Sequence, residues 1–247
     1  MRLKIVGFWG GYPAKNAASS GYLLEHDGFY LLIDCGSGVL AQLQNYIHPT
    51  EIDAAIISHY HPDHTADIGV YQHALLIQKF LGKGRENIPI YGHAEDQAEF
   101  GKLSYKDLTK GVQYTDQQTL TIGPFEVSLL RTKHPVPCFA MRIECEGKVL
   151  VYTADSSYIP EFTEFAKNAD ILLCECNFYA GMDGSGAGHM NSTDAGQLAN
   201  DANVKMLILT HLPHFGELKQ LVKEASQRFS GTVRLAETGM ELEFLPH

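Results

Sequence analysis

The stretch Ser58-His59-Tyr60-His61-Pro62-Asp63-His64 places four strong metal ligands within six positions, at the end of a predicted buried strand over 54–58. Residues 59 and 61 point the same way, because side chains alternate across a strand. If Asp63 and His64 begin the following helix, they turn a second pair of ligands toward a neighbouring point. Three imidazoles and a carboxylate suit zinc best, with iron and manganese as alternatives. The stretch therefore predicts a loop that begins two adjacent metal sites, whereas the alternative is a solvated loop that is rich in histidine.

Ligand-type side chains recur along the chain at one kind of place, the loop just beyond a predicted buried strand. The residues at such positions are Asp34, His59, His134, Asp155, Glu175 and His211. Side chains borne by several strand ends converge if those strands share a sheet edge. The predicted ligands of one metal are His59, His61 and His134. Those of the second metal are Asp63, His64 and His211, and Asp155 bridges both.

This ligand set leaves each metal an open position for water, which is typical of a catalytic site and not of a structural one. Two divalent ions about 3.5–4 Å apart can share a hydroxide, because together they lower the pKa of water toward about 7. They also polarise the oxygen of the bond that is attacked. The sequence therefore predicts hydrolysis without a serine or cysteine nucleophile.

Composition and charge narrow the class of protein. Hydrophobic residues make up 45% of the 247 residues, as in a globular protein with a substantial core. The formal net charge of −10 disfavours an extensive nucleic-acid surface. The five cysteines are too sparse for a disulfide scaffold, and we find neither a signal peptide at the start nor an apolar run of membrane-spanning length. We expect a single domain over 1–247 that is cytoplasmic and has no membrane partner.

Two features of the sequence have more than one interpretation. Asp34 ends a predicted strand, so it either orients a ligand histidine or forms a helix N-cap or a loop hydrogen bond. Residues 102–123 are predicted to be polar and irregular. Their lysines at 102, 106 and 110 either contact an anionic substrate or belong to a solvated loop, and we favour the solvated loop.

The stretch 59–64 resembles the H-x-H-x-D-H signature of the metallo-β-lactamase superfamily. His134, Asp155 and His211 follow in the order of the remaining ligands of that superfamily. The resemblance covers nearly the whole chain. It implies an α/β (α+β) fold, a four-layer αββα sandwich, with two Zn²⁺ ions at one edge of the two sheets and with Mn²⁺ or Fe²⁺ as alternatives.

Other segments resemble the ribonuclease Z-like branch of the superfamily. They are Gly10-Gly11-Tyr12-Pro13, Ser19-Ser20-Gly21-Tyr22-Leu23-Leu24, Leu32-Ile33-Asp34-Cys35-Gly36, Cys174-Glu175-Cys176-Asn177 and Gly188-His189. By this analogy Glu175 and His189 form a carboxylate–imidazole pair that protonates the leaving oxygen. The catalytic residues that the resemblance implies are then Asp63, Glu175 and His189.

The chain also departs from the patterns of its relatives. Only twenty residues separate His134 from Asp155, which leaves no room for the long tRNA-gripping insertion of ribonuclease Z. Leu212-Pro213-His214-Phe215 replaces the arginine–aromatic pair that follows the last histidine there, and with the acidic charge this argues against tRNA. Asp155 in place of cysteine argues against β-lactams, and the H-x-H spacing argues against flavo-diiron oxidoreductases. The chain also has no room for the helical C-terminal domain of glyoxalase II.

We therefore predict a binuclear zinc-dependent hydrolase, with a phosphodiesterase that uses a hydroxide shared by the metals as the favoured activity. The predicted substrate is a small phosphoester or a short nucleotide. The alternatives are a thioesterase or lactonase on the same metals, tRNA 3′-processing, and a binding protein that kept its ligands but lost turnover. A homodimer is expected from the resemblance alone.

Overall fold

The computed structural model describes residues 1–244. They form two compact units, which we call the first unit (residues 1–115 and 238–244) and the second unit (residues 116–237). Within the described residues, each unit contains one seven-stranded sheet and flanking helices. The predicted α/β fold class is confirmed. The interpretation of the chain as a single domain stays a prediction.

The first unit combines an antiparallel half and a parallel half in one sheet. Its strands are β1 (Arg2–Gly7), β2 (Gly21–His26), β3 (Phe29–Ile33), β4 (Ala54–Ile56), β5 (Ile88–His93), β6 (Thr109–Tyr114) and β14 (Glu241–Glu243). Its helices are α1 (Val39–Leu43), α2 (Pro62–Thr65), α3 (Ile68–Phe80) and α4 (Gln97–Gly101). The strand order is β14-β1-β2-β3-β4-β5-β6.

Asp27-Gly28 between two apolar stretches predicts a hairpin over 22–34, and β2 and β3 form it. Asp27 and Gly28 form its turn with φ of 49° and 80°, which is typical of a type I′ turn. Strands β3 and β4 then pair in parallel. Because the carboxyl ends of parallel neighbours meet at one sheet edge, Asp34 and the loop 58–64 begin side by side.

The second unit also has a mixed sheet, with short helices packed against its parallel strands. Its strands are β7 (Leu120–Ile122), β8 (Phe125–Arg131), β9 (Phe139–Cys145), β10 (Lys148–Tyr152), β11 (Ile171–Glu175), β12 (Met206–Thr210) and β13 (Thr232–Leu235). Its helices are α5 (Glu161–Phe165), α6 (Ser192–Asp201) and α7 (Leu218–Ala225). The strand order is β13-β12-β11-β10-β9-β8-β7.

Strands β10, β11 and β12 are parallel neighbours, and all of β10 and β11 is buried. Strand β8 runs in the same direction, because it and β10 are both antiparallel to β9. The residues after β8, β10, β11 and β12 therefore lie at one edge of the sheet. This is the convergence of strand ends that the sequence predicted for the second half of the chain.

One prediction of secondary structure is wrong, and another is confirmed with a later start. Residues 102–123 are not irregular throughout, since they contain β6 and β7. Both are edge strands, which explains their polar sequences. Apolar residues at helical spacing predict a helix over 65–81, and it is found as α3. The helix begins only at Ile68, because Asp67 accepts a hydrogen bond from the Leu40 amide (2.9 Å) and donates its own amide to the Cys35 carbonyl (3.1 Å). No helix within residues 1–244 is both long and apolar enough to cross a membrane.

Candidate metal-binding clusters

The first cluster lies in the loop after β4 and the first turn of α2. His59 and His64 are completely buried, and Asp63 is nearly so. The structure pairs these residues as the spacing suggested. His59 Nε2 lies 3.1 Å from His61 Nδ1, and His64 Nε2 lies 3.5 Å from Asp63 Oδ2. The loop thus presents two adjacent groups of donor atoms.

Asp34 supports this cluster from the end of β3. Its buried carboxylate accepts hydrogen bonds from the Ser58 amide (2.7 Å), the Ser58 hydroxyl (2.8 Å) and His64 Nδ1 (2.8 Å). Asp34 therefore contacts a candidate ligand histidine and also accepts loop hydrogen bonds, so both interpretations left open above are observed. Because a carboxylate can only accept, His64 carries its proton on Nδ1 and turns the lone pair of Nε2 outward.

Ser58 extends the same arrangement to His59. The Ser58 hydroxyl donates to Asp34, so it can accept from His59 Nδ1, which lies 3.1 Å away. The lone pair of His59 is then on Nε2, the atom that faces His61. Ring nitrogens with outward lone pairs in two adjacent groups, one of them beside a carboxylate, are a donor set that fits divalent cations. Sequence reasoning had assigned no role to Ser58.

Backbone contacts hold Asp63 and His64 in place. The Cys35 amide donates to the His64 carbonyl (2.8 Å), and the Gly11 amide donates to Asp63 Oδ2 (2.7 Å). A Cβ atom on Gly36 would lie 1.9 Å from the Asp63 carbonyl oxygen, so only glycine allows this close approach. The segments around 11 and 34–36, which resemble the ribonuclease Z-like branch, therefore have a structural role: they hold the loop.

The second cluster consists of His134, Asp155 and His211, at the ends of β8, β10 and β12. Asp155 Oδ2 lies 3.2 Å from His211 Nε2 and 3.9 Å from His134 Nε2. All three side chains are almost completely buried. The structure thus brings together three residues that lie 21 and 56 positions apart in the sequence.

Each histidine of the second cluster has its own support. His134 Nδ1 lies 3.1 Å from the Gly188 carbonyl, which can only accept, so Nε2 carries the lone pair. Gly188 has φ of 80°, and a Cβ atom there would lie 2.8 Å from His134 Nδ1. The Asn177 amide nitrogen donates to the His211 carbonyl (2.9 Å) and lies 3.3 Å from His211 Nδ1. The motifs around 177 and 188 pointed to this region, but their spacing did not reveal these contacts.

Glu175 and His189 form a pair beside this cluster. Glu175 Oε1 lies 2.9 Å from His189 Nδ1, and the same oxygen accepts the Ser156 amide at 3.0 Å. Burial raises the pKa of Glu175 above its ordinary value, although His189 acts in the opposite direction. The His189 ring stacks on His211, with 5.1 Å between ring centres. Donor atoms of Glu175, His189 and His211 all lie within 4.8 Å of one another.

Comparison with known sequences identifies relatives. The chain matches the family described as "Beta-lactamase superfamily domain" over residues 30–212. It is 51% identical to the "Probable metallo-hydrolase YhfI" of Bacillus subtilis (strain 168), over 98% of this chain and 100% of that protein. It is 26% identical to a ribonuclease Z of Sulfolobus acidocaldarius, over 92% of this chain and 93% of that protein.

Solved structures agree with the sequence comparison. The crystal structure of the metallo-β-lactamase fold protein YhfI superimposes with a TM-score of 0.97 and covers 98% of both chains. Human tRNase Z, short form, gives a TM-score of 0.77 at 21% identity over 98% of this chain and 99% of that one, which shows a shared fold. The resemblance stated from the sequence is therefore confirmed. The chain belongs to the metallo-β-lactamase superfamily and is a metal-dependent hydrolase.

Proposed function

We propose that the protein is a binuclear zinc-dependent phosphodiesterase. The proposed ligands are His59, His61 and His134 for one ion, Asp63, His64 and His211 for the other, and Asp155 for both. The hydrogen bonds of His59, His64 and His134 support this assignment, because each leaves Nε2 with a lone pair. Zinc, when bound, supplies Lewis acidity and lowers the pKa of coordinated water.

The Glu175–His189 hydrogen bond of 2.9 Å is the observation that carries the choice of substrate class. The buried carboxylate holds the imidazole by Nδ1, so Nε2 can deliver a proton to a leaving oxygen. An alkoxide is a strong base and gains much from such protonation. A thiol has a pKa of only about 8.5, so a thiolate leaves readily without it. The pair therefore favours oxygen esters, among them phosphodiesters, over thioesters.

The proposed substrate is a small phosphodiester or a short nucleotide. A net charge of −10 repels a long polyanion. Within the stretch 102–123, the charge of Lys102 is compensated by Glu99, which it bonds at 2.6 Å. These observations support a substrate that is recognised by a few groups near its phosphate.

A panel of substrates tests the proposal. Protein loaded with zinc is assayed against bis-p-nitrophenyl phosphate, a thioester, a lactone and a precursor tRNA. We expect turnover of the phosphodiester, its loss with a chelator, and two equivalents of zinc per chain by elemental analysis. Turnover of the thioester or the lactone without turnover of the phosphodiester would show that the thioesterase or lactonase alternative is correct. Cleavage of the tRNA in preference to the small diester would instead identify a processing endonuclease.

His189→Ala tests the proton donor. We expect a loss of about 100-fold or more in kcat for diesters with alkyl leaving groups, and a smaller loss for p-nitrophenyl esters, whose leaving group needs no proton. His73→Ala, an exposed histidine on α3, is the matched control and is expected to change neither value. Equal losses on both kinds of ester, with normal zinc content, would contradict the role of His189 as a general acid.

The proposal also covers location and assembly. All five cysteines are buried and carry thiols, not disulfide bonds, within the described residues, which supports a reducing compartment such as the cytoplasm. The homodimer implied by the resemblance is kept as part of the proposal. Sedimentation of the zinc-loaded protein tests it, since a single species of monomer mass would exclude it.

A further inference from the structure

A row of aromatic rings extends from His189 to the surface of the second unit. The ring of Phe178 lies 6.3 Å from that of His189 and 6.4 Å from that of Phe215. The Tyr179 ring lies 5.7 Å from that of Phe215. We call Phe178, Tyr179 and Phe215 the aromatic row. It ends in the segment 212–215, where the chain departs from ribonuclease Z.

The outer end of the aromatic row is unusually exposed. Phe215 exposes 46% of its surface and Met182, in the preceding glycine-rich loop, exposes 40%. They are the two large apolar side chains with such exposure among the described residues of the second unit. An apolar group of this size beside a candidate catalytic pair is typical of a ligand site.

The aromatic row is held in place, although its outer ring, Phe215, is exposed. The Tyr179 hydroxyl donates to the Phe215 carbonyl at 2.9 Å. Gly216 has φ of 73°, and a Cβ atom there would lie 2.5 Å from the Tyr179 ring, so the turn depends on glycine. A Cβ atom on Gly184 would likewise lie 2.5 Å from the Phe178 ring. A surface ring held in this way loses little conformational entropy when a ligand binds.

We propose that the aromatic row binds the base of a nucleoside phosphodiester, with Phe215 as the residue that determines specificity. This inference rests on the proposed phosphodiesterase function and names its substrate class. A flat ring offers stacking to any base, and stacking tolerates differences in sequence. Phe178 links this surface to His189, so a nucleoside stacked on Phe215 has its ester oxygen on the side of the proton donor.

The net charge of the protein favours a nucleoside ester over a long oligonucleotide. A long oligonucleotide needs a basic track for its phosphates, which a chain of net charge −10 does not favour. A fatty acyl group would use a deep apolar cavity, whereas the outer ring of the aromatic row, Phe215, is 46% exposed. One or two nucleosides joined to one phosphate match the flat rings of the row and the charge of the protein.

Competitive inhibition tests this inference without requiring a nucleotide to be turned over. The probes are adenosine 5′-monophosphate and ribose 5-phosphate, which share phosphate and sugar and differ in the base. Their dissociation constants for zinc-loaded protein are measured by calorimetry, and their inhibition of bis-p-nitrophenyl phosphate hydrolysis is measured in parallel. We expect the nucleotide to bind at least tenfold more tightly, which is within the range that stacking of one base provides.

Variants of Phe215 test whether its ring causes the difference in affinity between the two probes. Phe215→Leu keeps apolar bulk but removes the flat face, so it should abolish the difference between the two probes. Phe215→Tyr should restore that difference. Phe80→Ala, which alters an aromatic side chain of 78% exposure on α3 of the first unit, should leave it unchanged.

The possible results distinguish failure of this inference from failure of the proposed phosphodiesterase function. Equal affinity of wild-type protein for the two probes, with normal diester hydrolysis, would overturn the aromatic site and leave the phosphodiesterase standing. A preference for the nucleotide that survives Phe215→Leu would overturn the role of Phe215. Absence of diester hydrolysis in the wild-type protein would overturn the proposed function itself, and the substrate class named here with it.

Discussion

The two candidate clusters are built in opposite ways. The first takes its donors from one loop of six residues, and one buried carboxylate, Asp34, supports two of its histidines directly or through Ser58. The second takes its donors from the ends of three strands, and each of its histidines has a separate support. A compact cluster with a shared support should fail as a whole, whereas a dispersed cluster should fail one ligand at a time. Mutation of the supports tests this difference while the donors themselves are left unchanged.

Asp34→Ala should have the largest effect. It leaves the Ser58 amide, the Ser58 hydroxyl and His64 Nδ1 without their acceptor in a fully buried place. We expect a loss of about 3–5 kcal/mol in the free energy of unfolding, because a buried hydrogen-bond network loses its charged centre. Zinc affinity should fall about 100-fold. Chemical denaturation of metal-free protein gives the first value, and competition with a chelator gives the second.

Asp53→Ala is the control for Asp34→Ala. Asp53 also accepts from a backbone amide, that of Tyr30 (2.8 Å), and bonds Arg85 at 2.8 Å, but it precedes β4 and is partly exposed. We expect a loss of about 1 kcal/mol in stability and unchanged zinc affinity. If both variants lower zinc affinity equally, general destabilisation explains the result, and Asp34 has no specific role in the cluster.

Gly188→Ala should have an intermediate effect, confined to one ligand of the second cluster. The residue has φ of 80°, where an alanine is strained, and its Cβ would lie 2.6 Å from Pro135 and 2.8 Å from His134 Nδ1. We expect a loss of about 2–3 kcal/mol in the free energy of unfolding, from strain and displacement together. The kcat for diester hydrolysis should fall about tenfold or more, because His134 shifts from its place in the cluster.

Gly147→Ala separates strain from displacement. Gly147 lies in the turn between β9 and β10 with φ of 73°, and its Cβ would meet nothing within 4 Å. It should cost about 1 kcal/mol of stability, from strain alone, and leave activity unchanged. If Gly188→Ala resembles Gly147→Ala in both measurements, the contact between Gly188 and His134 has no functional importance.

The same contrast explains what could be predicted from the sequence. The loop 59–64 is a local pattern in which residue spacing alone gives the side-chain directions, so its pairs were anticipated. His134, Asp155 and His211 were found because each follows an apolar strand, and parallel strands share an edge. The Gly188 carbonyl and the Asn177 amide could not be assigned, because their contacts depend on the path of loops and not on a repeat. The strands β6 and β7 were missed because edge strands carry polar side chains.

Asn177→Ala should have the smallest effect, since it removes the support of a single histidine. The Asn177 amide bonds the His211 carbonyl at 2.9 Å, and its approach to Nδ1 at 3.3 Å is longer than the carboxylate contact of His64. We expect a loss of about 1 kcal/mol in stability and about tenfold in zinc affinity. Asn200→Ala, an exposed asparagine on α6, is the control and should change neither. A loss as large as that of Asp34→Ala would mean that the second cluster also fails as a whole, and the contrast between the shared and the separate supports would not hold.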